Sequence, residues 1–115
     1  MGKRSMVVQT RGVRNNLVID VQGQVDLHTS PRMRSAILEG INRKEVSQVA
    51  VNLGEVSYID SSGVATLVEG LQLARTRNCR FVLFGLRQET KEVLELARLD
   101  RIFEIRATEV DALSE

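Results

Sequence analysis

Val56-Ser57-Tyr58-Ile59-Asp60-Ser61-Ser62-Gly63 is the stretch on which this chain turns. The apolar run before it, 49–53, reads as a buried strand, and the residues after it, 64–75, carry a helical period. Asp60, Ser61, Ser62 and Gly63 therefore fall where a strand hands over to a helix. Short polar side chains belong there, because the first helical N–H groups have no partner within their own helix. The positive end of the helix dipole also favours an anion. Two readings are open. One is an ordinary helix cap; the other is a hydroxyl, that of Ser61, exposed and placed for a phosphoryl group. No Glu or Gln stands three residues after either serine, since Val64 and Ala65 occupy those positions, so a reciprocal capping box is absent.

Upstream, Leu17, Ile19 and Val21 alternate with Val18, Asp20 and Gln22, the mark of a half-buried strand. A strand at 6–10 and a turn at Asn15-Asn16 make it the second arm of a hairpin. Gly23 permits a bend or bulge, and 25–27 forms a short extended piece. Thr29 or Ser30 then caps a helix that runs to about residue 42, with Pro31 in its first turn and Met33, Ile37, Leu38 and Ile41 as its apolar stripe.

Downstream, the helix over 64–75 turns Val64, Leu67, Val68 and Leu71 inward, and Asn78 takes the left-handed cap. A buried strand at 81–84 closes on Gly85. The spacing predicts a third helix over 88–98, with Val93, Leu94 and Ala97 inward and Leu86, Leu96 and Leu99 extending that face. A strand over 102–105 comes next, then a terminal turn opened by Thr108 or Asp111 with Val110 and Leu113 inward. After a flexible tail at 1–5, residues 6–115 are expected to form one α/β domain. Its central sheet is mixed and mostly parallel, with an N-terminal antiparallel hairpin and about four helices packed against it. In such sheets chemistry gathers at the carboxyl ends of strands, which is where Asp60 lies.

Composition narrows the function. With 115 residues, 43% hydrophobic and 27% charged, the chain can bury one core. A formal net charge of +1 gives no overall pull toward nucleic acid or an acidic membrane surface. The aromatics, Tyr58, Phe81, Phe84 and Phe103, are too few for a base-stacking platform. Cys79 is alone, so no internal disulfide forms. Neither a signal peptide nor a membrane-spanning run is legible, and a cytoplasmic location is expected.

Catalytic equipment is not visible. His28 is the only histidine and sits in a polar run beside a helix cap; a Ser61–His28 relay lacks an assigned orienting carboxylate. Asp20, Asp26 and Asp60 could gather around a divalent ion, but strand-end aspartates are ordinarily solvated. No Cys/His grouping fits zinc, and no glycine loop is followed by Lys-Ser or Lys-Thr. The expectation is no enzyme, no cofactor and no metal, with Ser61 a substrate rather than a reagent. Phosphorylation there adds about two negative charges and three acceptors. Helix N–H groups are expected to help hold the phosphate, so that it changes the surface a partner sees rather than the fold.

These residues resemble the STAS domain family, whose small members are bacterial anti-sigma factor antagonists. The resemblance spans about residues 6–105. It is carried by Gly23-Gln24-Val25-Asp26-Leu27-His28-Thr29-Ser30-Pro31, by the central stretch 56–63, and by Leu99-Asp100-Arg101-Ile102-Phe103. It implies a STAS-like single domain in which Ser61 is phosphorylated by a partner that is both serine kinase and anti-sigma factor. Asp60, Ser62 and Gly63 would support that site. Asp26, Leu27, His28, Thr29, Ser30 and Val64 would belong to the partner-binding face. A PP2C-type phosphatase would reset the switch. The resemblance implies no nucleic-acid partner and no direct membrane insertion, and a monomer with a weak dimer as the alternative. Many antagonists continue the motif as Gly-Leu-Gly, whereas this chain has Gly63-Val64-Ala65. Other branches thus stay open: a cytoplasmic subunit of a lipid-transport ATPase, a stress-signalling scaffold, or a partner switch without a sigma factor.

Overall fold

The computed structural model describes residues 6–114. The tail expected at 1–5 lies outside the described residues. In chain order the elements are β1 (Met6–Val13), β2 (Asn16–Val25), α1 (Ser30–Ile41), β3 (Gln48–Ile59), α2 (Ser61–Thr76), β4 (Arg80–Phe84), α3 (Gln88–Leu96), β5 (Glu104–Arg106) and α4 (Glu109–Leu113). The strands form one sheet in the order β1-β2-β3-β4-β5. The β1/β2 pair is antiparallel and every later pair is parallel. This is the mixed, mostly parallel sheet with an N-terminal hairpin that the element order predicts.

Alternation along the strands divides the core between two faces. On one face, Leu17, Ile19, Val49, Val51, Leu53 and Leu83 lie beneath Met33 and Ile37 of α1, Leu67 and Leu71 of α2, and Leu94 of α3. On the other, Val18, Ala50, Val82 and Phe84 meet Ala112 of α4. The Gln48 amide donates to the Ala112 carbonyl at 2.6 Å and ties α4 down. Because α4 covers the second face, Leu17 and Val18 are both buried. The start of β2 is therefore buried on both sides, not half-buried as its alternation predicts.

β3 is much longer than the apolar run 49–53. It continues through Val56 and Ile59, both buried. Its last partner on β4 is at Asn52↔Phe84, whereas its pairing with β2 runs on to Val25↔Ile59. The register slips between Gly23 and Gln24, and Gly23 takes a φ of 102° to allow it. The ends of β2 and β3 thus project beyond the rest of the sheet, and they carry Asp26 and Asp60.

Several local expectations shift. The hairpin turn is Arg14-Asn15, closed by the Val13↔Asn16 pair, with Arg14 at a φ of 57°. α3 stops at Leu96, and Arg98 at a φ of 59° turns the chain. Ala97 is consequently exposed, and so is Leu96, which sits two residues from the buried Leu94 and so faces away from it. In α4 the inward residue is Ala112; Leu113 is partly buried and Val110 is exposed.

Candidate functional site

Asp60, not a serine, caps α2. Its backbone is extended, at φ −109° and ψ −171°, and Ser61 is already the first helical residue. One carboxylate oxygen, Oδ1, accepts from the Ser62 N–H at 2.9 Å, the Gly63 N–H at 3.3 Å and the Ser62 hydroxyl at 2.5 Å. The Asp60 N–H in turn donates to the Val25 carbonyl at 3.1 Å, locking the end of β3 to that of β2. The Ser62 hydroxyl, foremost, and the Gly63 and Ser62 amides hold the Asp60 carboxyl below its usual range; partial burial and the negative Asp26 push the other way. Ser62 is therefore spoken for, while the neighbouring Ser61 is exposed.

Gly63 is required for space, not for a left-handed backbone. A Cβ there would lie 2.6 Å from Ile59 Cγ1 and 2.7 Å from Val25 Cγ1. The first turn of α2 presses directly onto the projecting strand ends, and Val64 is buried just behind it.

The loop from β2 to α1 is built around Asp26. Its Oδ1 accepts from the His28 N–H at 2.9 Å and the Thr29 N–H at 3.1 Å, and its carbonyl accepts from the Ser30 N–H at 2.8 Å. The Thr29 hydroxyl accepts from the Asp26 N–H and donates to the Gln24 carbonyl, each at 2.8 Å. Asp26, Thr29 and Ser30 are buried; what the loop presents is Leu27, 71% exposed, and His28. Asp26 and Asp60 face a shared cleft of about 220 Å³ that Gln24 and Tyr58 complete. Tyr58 is 50% exposed, and sequence reasoning does not single it out as a site residue. The signal that could have found it is an aromatic two positions before a strand-end aspartate.

Asp20 does not join this group. It pairs with Arg11 at 2.6 Å and accepts from the Asn52 amide at 2.9 Å. Among the described residues no cluster of three or more His, Cys, Asp or Glu could hold a metal ion. No hydrogen bond links Ser61 to His28, so the relay is not assembled among the described residues. Cys79 is buried, and burial pushes its thiol up, away from the reactive thiolate. Ser61, exposed on the first residue of α2, follows directly on the Asp60 cap.

The sequence matches the STAS domain over residues 6–112. The chain belongs to the STAS domain family. It is 35% identical over 95 residues to the anti-sigma-B factor antagonist of Listeria monocytogenes, covering 83% of this chain and 82% of that one. The fold is similar to the crystal structure of an anti-sigma factor antagonist from Mycobacterium paratuberculosis, with a TM-score of 0.85 at 22% identity over 95% of this STAS chain and 92% of that one. It is similar also to the Bacillus protein SpoIIAA, solved in unphosphorylated and phosphorylated forms, with TM-scores of 0.78 and 0.73. Both SpoIIAA comparisons are at 24% identity and span 93% of this chain; they cover 93% and 96% of the respective SpoIIAA chains. No helix of this STAS domain is long and apolar enough to cross a membrane, among the described residues.

Proposed function

We propose that the protein is an anti-sigma factor antagonist, a binding switch controlled by phosphorylation of Ser61. Unphosphorylated, it binds a cytoplasmic partner that is both serine kinase and anti-sigma factor. Phosphorylated, it lets go, and a PP2C-type phosphatase restores the binding form. The observation that carries this reading is Ser61 itself: an exposed hydroxyl on the first residue of α2, directly after the aspartate that fixes the turn. The kinship with the Listeria antagonist supports the partner class, and the two solved forms of SpoIIAA support phosphorylation as the control.

The local charges supply the mechanism. Because Asp60 already occupies the Ser62 and Gly63 amides, a phosphate on Ser61 gains less from the helix N-terminus than its position alone promises. It stands instead on the residue after Asp60, whose carboxylate shares a cleft with that of Asp26. Like charges concentrate on one patch, and a docked partner would have to desolvate them. Leu27 and His28 provide contact, with Asp26, Thr29 and Ser30 shaping their loop and Val64 seating the base of α2.

Binding to the cognate kinase, measured by calorimetry, tests this. Wild type and Ser61→Ala should bind alike, and Ser61→Glu at least about tenfold more weakly, the scale of one misplaced interfacial charge. Equal affinity for all three would overturn the switch.

A further inference from the structure

A formal charge of +1 conceals an uneven distribution. In a parallel sheet every crossover helix starts at the carboxyl ends of the strands and finishes at their amino ends. The pole opposite Ser61 therefore collects the residues at and just past each helix C-terminus. Arg43 and Lys44 come after α1, Arg75 and Arg77 close α2, and Arg98 and Arg101 come after α3. Arg14, in the β1–β2 turn, joins them: the Ser47 N–H donates to the carbonyl of neighbouring Asn15 at 2.8 Å, and the Ser47 carbonyl accepts from the Arg80 N–H at 3.0 Å. All seven side chains are exposed.

Position at helix ends accounts for some of this charge, through the dipole. It does not account for the lack of counter-ions. Arg11, Arg34, Arg87 and Arg106, elsewhere on the molecule, each pair with a carboxylate, and at this pole Arg80, the first residue of β4, pairs with Glu104. Among the described residues none of the seven at this pole forms such a pair, although Glu45, Glu95 and Asp100 lie on the same end. Two aliphatic side chains sit among the cations: Leu96, 86% exposed, and Ile102, 39% exposed. Leu96, Arg98 and Arg101 line one open depression of about 510 Å³ with Glu95 and Asp100.

We propose that this pole docks on an anionic lipid surface. Unpaired cations ringing exposed aliphatic groups match a layer that is negatively charged outside and apolar just beneath. A nucleic acid would use the cations and leave Leu96 in water. Docked this way, the domain turns the Ser61 end outward, free for a protein partner. The proposal is independent of whether Ser61 is phosphorylated.

Co-sedimentation of the purified protein with vesicles tests it. Phosphatidylglycerol-containing vesicles should carry the protein down and pure phosphatidylcholine vesicles should not, with the bound fraction falling as salt rises. Arg98→Glu/Arg101→Glu should sediment at least about tenfold less, as expected for two cations removed from the lipid field. Arg87→Glu/Lys91→Glu, the same charge change at the far end of α3, should sediment like wild type. Leu96→Ser should weaken binding at unchanged charge. Equal sedimentation with both vesicle types, or equal loss in both double variants, would overturn the proposal. So would retention on an acidic polypeptide column without vesicle binding, which would assign the pole to an acidic protein.

Discussion

Asp60 alone makes the cap for which the sequence offers three side chains, those of Asp60, Ser61 and Ser62. It follows the last residue of β3, caps α2 and accepts the Ser62 hydroxyl, while the Ser61 side chain is exposed. Asp60→Ala should cost about 1–2 kcal/mol of stability through the lost cap, read as a lower midpoint in urea. The cap is also sensitive to pH. Folding holds the Asp60 carboxyl below its usual range, so the unfolded chain takes up its proton first as pH falls. Its contribution is present above the unfolded value, near about pH 4, and disappears as pH drops through the folded one. Any stability advantage of wild type over Asp60→Asn should thus shrink between neutral pH and about pH 3. A constant difference across that range would contradict the assignment. The sequence showed a cap at 60–63 but not which oxygen made it, because Asp, Ser and Ser all suit an N-cap. The choice is made by the Val25 carbonyl, which holds the Asp60 backbone extended.

At the scale of elements, the first turn of α2 lies so close to Val25 and Ile59 that only glycine fits at 63. Gly63→Val should cost about 1–3 kcal/mol by overpacking, and an unchanged melting temperature would contradict the contact. α4 offers a second check. Its Ala112 carbonyl receives the buried Gln48 amide, and Gln48→Met should cost about 1–3 kcal/mol and raise protease sensitivity near the C-terminus. The periods of α1 and α2 were plain in the sequence because each keeps a stripe of buried residues on one sheet face. α3 and α4 misled at Leu96, Ala97 and Val110. A helix of 9 or 5 residues has too few turns to set its own stripe, and the left-handed Arg98 decides which side remains. The length of β3 was hidden for a related reason. Beyond Asn52 it pairs on one side only, and Gly54, Glu55, Ser57 and Tyr58 break the apolar run without ending the strand.

Over the whole molecule, strand direction separates two ends. One gathers Ser61, Asp60, Asp26, Leu27 and Tyr58; the other gathers helix C-termini and their cations. The site end was legible because its residues cluster in two short motifs. Tyr58 was not, since an aromatic in a strand reads as core until the strand is seen to project past the sheet. The basic end was not legible either, because its residues are scattered from 14 to 101 and net charge averages them away. The switch at the site end can be tested without knowing the partner in advance. Intact-mass spectrometry after incubation with ATP and a soluble extract of the source cell, run beside Ser61→Ala, should show one added phosphate on wild type and none on the variant. No phosphate on either protein in a kinase-competent extract, or the same added mass on both, would contradict Ser61 as the switch.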